Sequence, residues 1–341
     1  MEVNDLLPGK VPGDILEKYV FTRLGKKHPD LLLGPGVGQD ASVIRFGDKV
    51  IIVSTDPITG SIEDIGWLAV HVNANDIATF GVAPKWFLNS IMLPPGYTPE
   101  DLGRIMSQID EAAKSLDIAV VGGHTEITEE IEKPIIAGFM LGETKEGEYV
   151  TSSGARPGDS IIMTKTIAIE GTSILASEGF DVLSKSLGED VVNEAKRLRN
   201  SISVVSEGVV AFQTGYLTAM HDPTEGGLAG GLHEICDASG VGFRIDSDLI
   251  PIHSSTQAIC DMLKINALEL ISSGCMLMTC ESLHAETVIK AINAEGIDAA
   301  IIGVITEQAD ERIAITEGQE LKITLPKTDA LWAALKNLKS L

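Results

Sequence analysis

Short apolar, β-rich runs alternate with segments of helical period along most of these 341 residues, which points to an α/β (α+β) fold. Residues 49–54 (KVIIVS) and 118–121 (IAVV) read as strands. Between them, residues 98–116 read as an amphipathic helix: Thr98 is placed to cap, Pro99 fits the first turn and Asp101 sits at the capping-box position. Leu102, Ile105, Met106, Ile109 and Leu116 then recur at helical spacing. Further strands are predicted near 160–164, 216–220, 276–279 and 299–305, and helices near 203–212, 227–238 and 283–294. A Ser-, Gly- and Pro-rich break at 150–158 suggests two domains, 1–150 and 151–341, in a chain too long for one ordinary domain.

Charge narrows the function. With 26 basic against 49 acidic residues the net charge is -23, which repels nucleic acid and anionic membranes. A magnesium-bound nucleotide remains open, because a divalent cation and backbone N–H groups neutralise phosphates locally. The four cysteines (Cys236, Cys260, Cys275, Cys280) form no C-x-x-C pair and read as buried thiols of a reducing compartment. The first twenty residues lack the basic start and apolar run of a signal peptide, and no eighteen apolar residues follow one another. A cytoplasmic protein is expected.

Five acid-bearing segments carry the chemistry. The first is Gly34-Pro-Gly-Val-Gly38-Gln-Asp40, whose glycines would let backbone N–H groups approach a phosphate while Asp40 holds a cation; it lacks the G-K-[ST] of a P-loop. Ser54-Thr55-Asp56 puts a carboxylate at the end of the strand 50–53. In the helical segment 72–84, Asn73 and Asp76 share a face amid apolar residues, and Asn75 adjoins them. Gly122-Gly123-His124-Thr125-Glu126 follows a strand with backbone donors, an imidazole, a hydroxyl and a carboxylate. His221-Asp222-Pro-Thr-Glu225-Gly226-Gly227 joins a strand to a helix amino terminus, where phosphates bind readily. Each alone reads equally well as a turn, a cap or a structural hydrogen bond. Together they are an excess of negative charge that a metal-nucleotide would resolve.

In order and wording, Gly38-Gln-Asp40-Ala, Ser-Thr-Asp56, Asn75-Asp76 with Gly81-Val-Ala-Pro84, Gly-Gly-His-Thr125 and Asp222-Pro-Thr-Glu-Gly-Gly-Leu228 resemble successive motifs of the aminoimidazole ribonucleotide (AIR) synthetase superfamily. The resemblance covers nearly the whole chain. It implies a two-domain fold, an amino-terminal domain that dimerises through a shared β-barrel, and ATP in a cleft against the second domain. It further implies Mg²⁺ at Asp40, Asp56, Asp76 and Asp222, and nucleotide contacts from Gly38, Asp40, Asp56, Asn75, Gly122, Gly123, Thr125, Asp222, Glu225, Gly226 and Gly227. The γ-phosphate would pass to an oxygen of a small acceptor, amide-, carboxyl- or phosphate-like. Lys10, in a segment able to close over the triphosphate, joins His124 and Glu126 as a candidate catalytic group; a solvated lysine is the plain alternative.

Gly9-Lys10-Val-Pro12, the Asp222 segment and Ser272-Ser-Gly-Cys-Met276 are most similar to the hydrogenase-maturation branch. That branch ends in an acceptor cysteine, whereas this chain ends Leu338-Lys-Ser-Leu341 with no Cys beyond Cys280, so tail-thiol chemistry is expected to be absent. His124 stands where the purine enzyme and the thiamine kinase carry a carboxylate, with Glu126 a possible substitute. The alternative to an enzyme is a nucleotide-binding maturation or regulatory partner without turnover. A homodimer is expected, from apolar strands such as 50–53 needing a partner subunit, and Trp67, Trp86 and Trp332 are assigned to packing.

Overall fold

A computed structural model describes residues 6–339; the last two residues of the tail compared above lie outside them. The first half is built on a six-stranded sheet of β1 (Leu31–Leu33), β2 (Ser42–Phe46), β3 (Lys49–Ile58), β4 (Pro84–Leu93), β5 (Ala119–Ile127) and β6 (Ile135–Thr144). Their spatial order is β1-β2-β3-β6-β4-β5, so β1 and β5 are edges. Only β4 and β5 pair in parallel, joined by the crossover helix that such a pair requires.

Helix α1 (Gly13–Tyr19) precedes this sheet, and α2 (Ile65–Ala78) and α3 (Pro99–Ser115) pack on it. In α3 both halves of the expected capping box form: Asp101 N–H donates to Thr98 Oγ1 at 3.2 Å, and Thr98 N–H to Asp101 Oδ2 at 2.8 Å. Helix α2 is different, since nearly every residue is buried. It lies between β3 and β6 on one side and α3 on the other, with the second half of the chain at its end. A helix without a polar face belongs in such a place.

The second half has a seven-stranded sheet ordered β13-β12-β9-β11-β7-β10-β8. Its strands are β7 (Asp159–Thr164), β8 (Leu217–His221), β9 (Gly242–Asp246), β10 (Leu277–Glu281), β11 (Ala299–Thr306), β12 (Arg312–Thr316) and β13 (Gln319–Lys322). Strand β7 is buried at every residue, its apolar centre Ile161–Met163 lying between β10 and β11 in the middle of the sheet. Helices α4 (Ile169–Glu178), α5 (Phe180–Leu187), α6 (Glu189–Arg197), α7 (Val205–Gln213), α8 (Gly227–Ser239), α9 (Ser254–Leu263), α10 (Ala285–Ala294) and α11 (Ala330–Leu338) surround it. All four thiols are buried and free. Among the described residues no helix is long and apolar enough to cross a membrane.

Three expectations need correction. Residues 50–53 do not call for a partner subunit: β3 lies inside its sheet between β2 and β6, with Val50 and Ile52 fully buried within the one chain. The exposed strand is instead β5, where Val120, Val121 and Ile127 are 40%, 52% and 57% accessible. Asp56 does not follow β3 but lies within it, because pairing with β6 runs on to Ile58 and the Asn73 side chain bonds the Asp56 backbone in both directions. Finally, Trp332 is more than packing, for it lines the main cavity.

Candidate functional site

A cavity of about 540 Å³ opens between the two halves. Four acids reach it from four elements: Asp40 from the glycine loop before β2, Asp56 from β3, Asp76 from the last turn of α2, and Asp222 from the turn after β8. Asp76 and Asp222 are 5% and 1% accessible, and neither Asp222 oxygen has a hydrogen-bond partner. Burial pushes Asp76 well above the usual carboxylate range, and the charges of Asp56, Asp222 and Asp40 push it further. Asp222 is raised by burial and then by Asp40. Asp56 is pushed up to about 6 by burial, with Lys10 opposing and Asp40 adding to the shift. Carboxylates gathered this way are unfavourable without a cation among them.

Beside them runs a chain of paired charges. His221 Nδ1 lies 2.8 and 3.0 Å from the two oxygens of Asp40, and its Nε2 lies 2.9 Å from Glu234 Oε2. Lys10 Nζ donates to the other Glu234 oxygen at 2.5 Å. Burial disfavours the His221 cation, but Asp40 and Glu234 outweigh it and raise its pKa to about 10. Burial likewise opposes Glu234 ionisation, yet Lys10 and His221 bring it down to about 2. Carboxylates at both ring nitrogens favour the protonated ring of His221, which holds Asp40 in place.

Pro8, Gly9 and Lys10 line the cavity. The Lys10 backbone N–H donates to Glu225 Oε2 at 2.6 Å, and Thr328 Oγ1 donates to the Pro8 carbonyl at 3.0 Å. Lys10 and Glu225 thus both line the cavity with the four acids.

Other residues singled out in the sequence lie elsewhere. Asn75 is fully buried and joins the halves: its Nδ2 donates to the Ile202 carbonyl and its Oδ1 accepts from Val204 N–H, both at 2.9 Å. Gly38, at φ +71°, lies against α8, where a Cβ would stand 2.6 Å from the Glu234 carbonyl oxygen; only glycine allows the Asp40 loop to approach. Gly226 N–H donates to Asp329 Oδ2 at 2.6 Å, and Gly227 packs so closely that a Cβ would lie 2.5 Å from the Leu268 carbonyl oxygen. The Gly226 N–H is thus taken by a protein acceptor. Gly122, Gly123, His124, Thr125 and Glu126 are all exposed on the edge strand β5, outside the cavity lining, with His124 Nε2 3.2 Å from Glu126 Oε2.

Four site residues escaped the sequence reading. His221 lies inside a quoted motif but only its two carboxylate partners reveal its charge. Glu234 is one acid on an apparently ordinary helix. Asp329 caps α11 through Leu331 N–H and also accepts from Gly226 and Ile271. Glu170, in the first turn of α4, is 4% accessible and lines the cavity.

The donor set fits Mg²⁺. Asp40 and Asp222 offer oxygens within 4.8 Å of one another, Asp222 is unpartnered, and Asp56 and Asp76 add further hard oxygen donors.

Comparison with known proteins agrees with this architecture. Residues 38–144 match the AIR synthase related protein N-terminal domain, and residues 156–316 match its C-terminal domain. A hydrogenase expression/formation protein of Methanocaldococcus jannaschii is 31% identical over 308 residues, 88% of this chain and 89% of the relative. The carbamoyl dehydratase HypE of Rhizobium leguminosarum bv. viciae is 29% identical over 78% of this chain and 76% of its own length. Among solved structures, the HypE–HypF complex superposes with a TM-score of 0.75 at 24% identity, covering 92% of this chain and 100% of that chain. ThiL complexed with AMPPCP and TMP gives 0.67 at 24% identity, covering 84% and 89%. The fold is therefore shared with both, and the matches over both halves establish that the chain belongs to the AIR synthase related protein family.

Proposed function

We propose that this chain is an ATP-dependent enzyme transferring a phosphoryl group to a small polar acceptor, with Asp40, Asp56, Asp76 and Asp222 holding Mg²⁺ at the nucleotide's phosphates. The observation that carries this reading is the convergence of four largely buried acids, one with both oxygens unpartnered, on a single cavity. Support comes from relatives: HypE has been solved in complex with ATP, and ThiL with AMPPCP. Bound Mg²⁺ would neutralise phosphate charge as it shifts during transfer. Lys10, placed by Glu234 and by its own backbone bond to Glu225, brings a positive charge to the cavity. His221 keeps Asp40 oriented, and Asn73 keeps the Asp56 backbone oriented.

The domain boundary is placed at 150/151, and the active form is read as a homodimer formed through β5. Any role of Gly122 to Glu126 at the nucleotide then requires this edge to meet the partner's cavity. A nucleotide-binding maturation partner without turnover is the second reading; of its two parts, the solved HypE–HypF complex supports the protein partner.

Incubating the purified full chain with Mg-ATP and a panel of small amides, carboxylates and phosphates separates the two. ADP release that rises with one acceptor and is sustained over many turnovers is expected. Tight ATP binding with no acceptor-dependent release would transfer support to the partner reading.

A further inference from the structure

Three parts of the site rest on α8, none of whose own residues lines the cavity. Its Gly231 packs against Pro223, next to Asp222, so closely that a Cβ would stand 2.8 Å from the Pro223 Cβ. Gly38, in the loop that carries Asp40, packs on the carbonyl oxygen of Glu234. The Glu234 side chain then divides its two oxygens between different partners: Oε1 accepts from Lys10 Nζ at 2.5 Å, and Oε2 lies 2.9 Å from His221 Nε2. On the far side of the ring, His221 Nδ1 reaches both oxygens of Asp40. Glu234 and His221 side chains are 14% and 1% accessible, and neither residue is part of the cavity wall. Glu234 thus meets the Asp40 loop twice, by its backbone at Gly38 and by its side chain through His221, and meets Lys10 as well.

We propose that Glu234 is a positioning residue that ties Lys10, the cation offered to the nucleotide's phosphates, to Asp40, a ligand of the metal, so that the two act as one unit. This deepens the nucleotide reading above and rests on it. A carboxylate has an acceptor oxygen for each of two donors, whereas an amide has one acceptor oxygen and would serve only Lys10 or His221. An ammonium has three donors, so Lys10 can hold Glu234 and still reach phosphate oxygens. A free lysine side chain loses several rotatable bonds of freedom when it is ordered; pairing with a group on a helix orders it before the nucleotide arrives. On the metal side, a group bonded to a ligand from behind fixes the direction in which that ligand points. One carboxylate serves both ends, so a change at Lys10 is transmitted to Asp40 and the reverse.

Calorimetric titration of Mg-ATP into the full chain tests this with Glu234→Gln, Glu234→Asp, Lys10→Met and Asp40→Asn, and with Glu234→Gln combined in turn with Lys10→Met and with Asp40→Asn. Thermal melts check folding. Glu234→Gln and Glu234→Asp are each expected to lose about ten-fold or more in affinity, the second because it keeps the charge but withdraws it by one methylene from both partners. Each double variant should fall short of the product of its two single losses by about three-fold or more, as for groups acting through one another. Wild-type affinity in either Glu234 variant would overturn the assignment, as would losses that simply multiply in either pair, since a merely structural or remote electrostatic role adds independently. If Glu234→Gln does not fold, Glu234→Asp replaces it in both pairs. Should wild type bind no Mg-ATP, the nucleotide reading fails; Mn²⁺ alone, titrated into wild type, Glu234→Gln, Asp40→Asn and their double variant, then decides by the same rule whether Glu234 positions Asp40.

Discussion

Asp56, Asp76, Asp222 and Glu170 share one electrostatic condition: each is held above its ordinary pKa in the folded chain, burial being the largest cause. A group whose folded pKa is raised contributes stability below its unfolded value and loses it as pH rises through the folded value. For Asp56 that interval runs from 3.8 to about 6, and for Glu170 from 4.5 to about 7. His221 acts in the same direction, its contribution present below 6.5 and lost towards about 10. The metal-free protein is therefore expected to melt at a lower temperature at pH 8 than at pH 5, and added Mg²⁺ to raise the melting temperature more at pH 8. Melting curves at both pH values check this; equal Mg²⁺ stabilisation at the two would contradict it. At this scale the sequence revealed the acids through their motifs. It could not reveal His221, Glu234 or Glu170, since their character comes from partners 181, 224 and 103 positions away, Asp40, Lys10 and Ser273 respectively.

Among the elements, α2 does the most to bring the halves together, and its polar residues divide the labour. Asn73 fixes the Asp56 backbone, Asp76 faces the cavity, and Asn75 bonds the segment leading into α7 through Ile202 and Val204. The Asn75→Ala variant would leave a buried carbonyl and a buried N–H unpaired, at a cost of about 2–3 kcal/mol. Chemical denaturation should show that loss while the folded fraction still binds Mg-ATP; a variant of wild-type stability that had lost nucleotide binding would return Asn75 to the nucleotide site. Sequence pattern served well for α3, whose capping box and apolar stripe are both local features, and for the helices α7, α8 and α10. It missed β4 and β6, where the strand signal is diluted by Pro84, Lys85 and Gly138 and stability comes from their pairing with each other and, for β6, with distant β3. It also misplaced the exposed apolar strand, because burial depends on which strand lies at the sheet edge and not on hydropathy.

For the whole molecule, the long exposed edge of β5 is the surface most in need of cover, and pairing with a second copy would provide it. Light scattering at micromolar concentration should give about twice 36.2 kDa, and Val121→Lys should shift the mass towards the monomer. A wild-type monomer would contradict assembly through this edge. The central claim, that the acids at the junction of the halves hold a magnesium-nucleotide, is tested most directly by calorimetric titration of Mg-ATP into wild type and the Asp40→Asn, Asp76→Asn and Asp222→Asn variants. Each substitution keeps size and removes one charge. Affinity is expected to fall by about ten-fold or more in each, a loss of about 1.4 kcal/mol or more, while the metal-free melting temperature of the Asp76 and Asp222 variants holds or rises as repulsion is relieved. Mg-ATP affinity unchanged in all three variants would contradict the account.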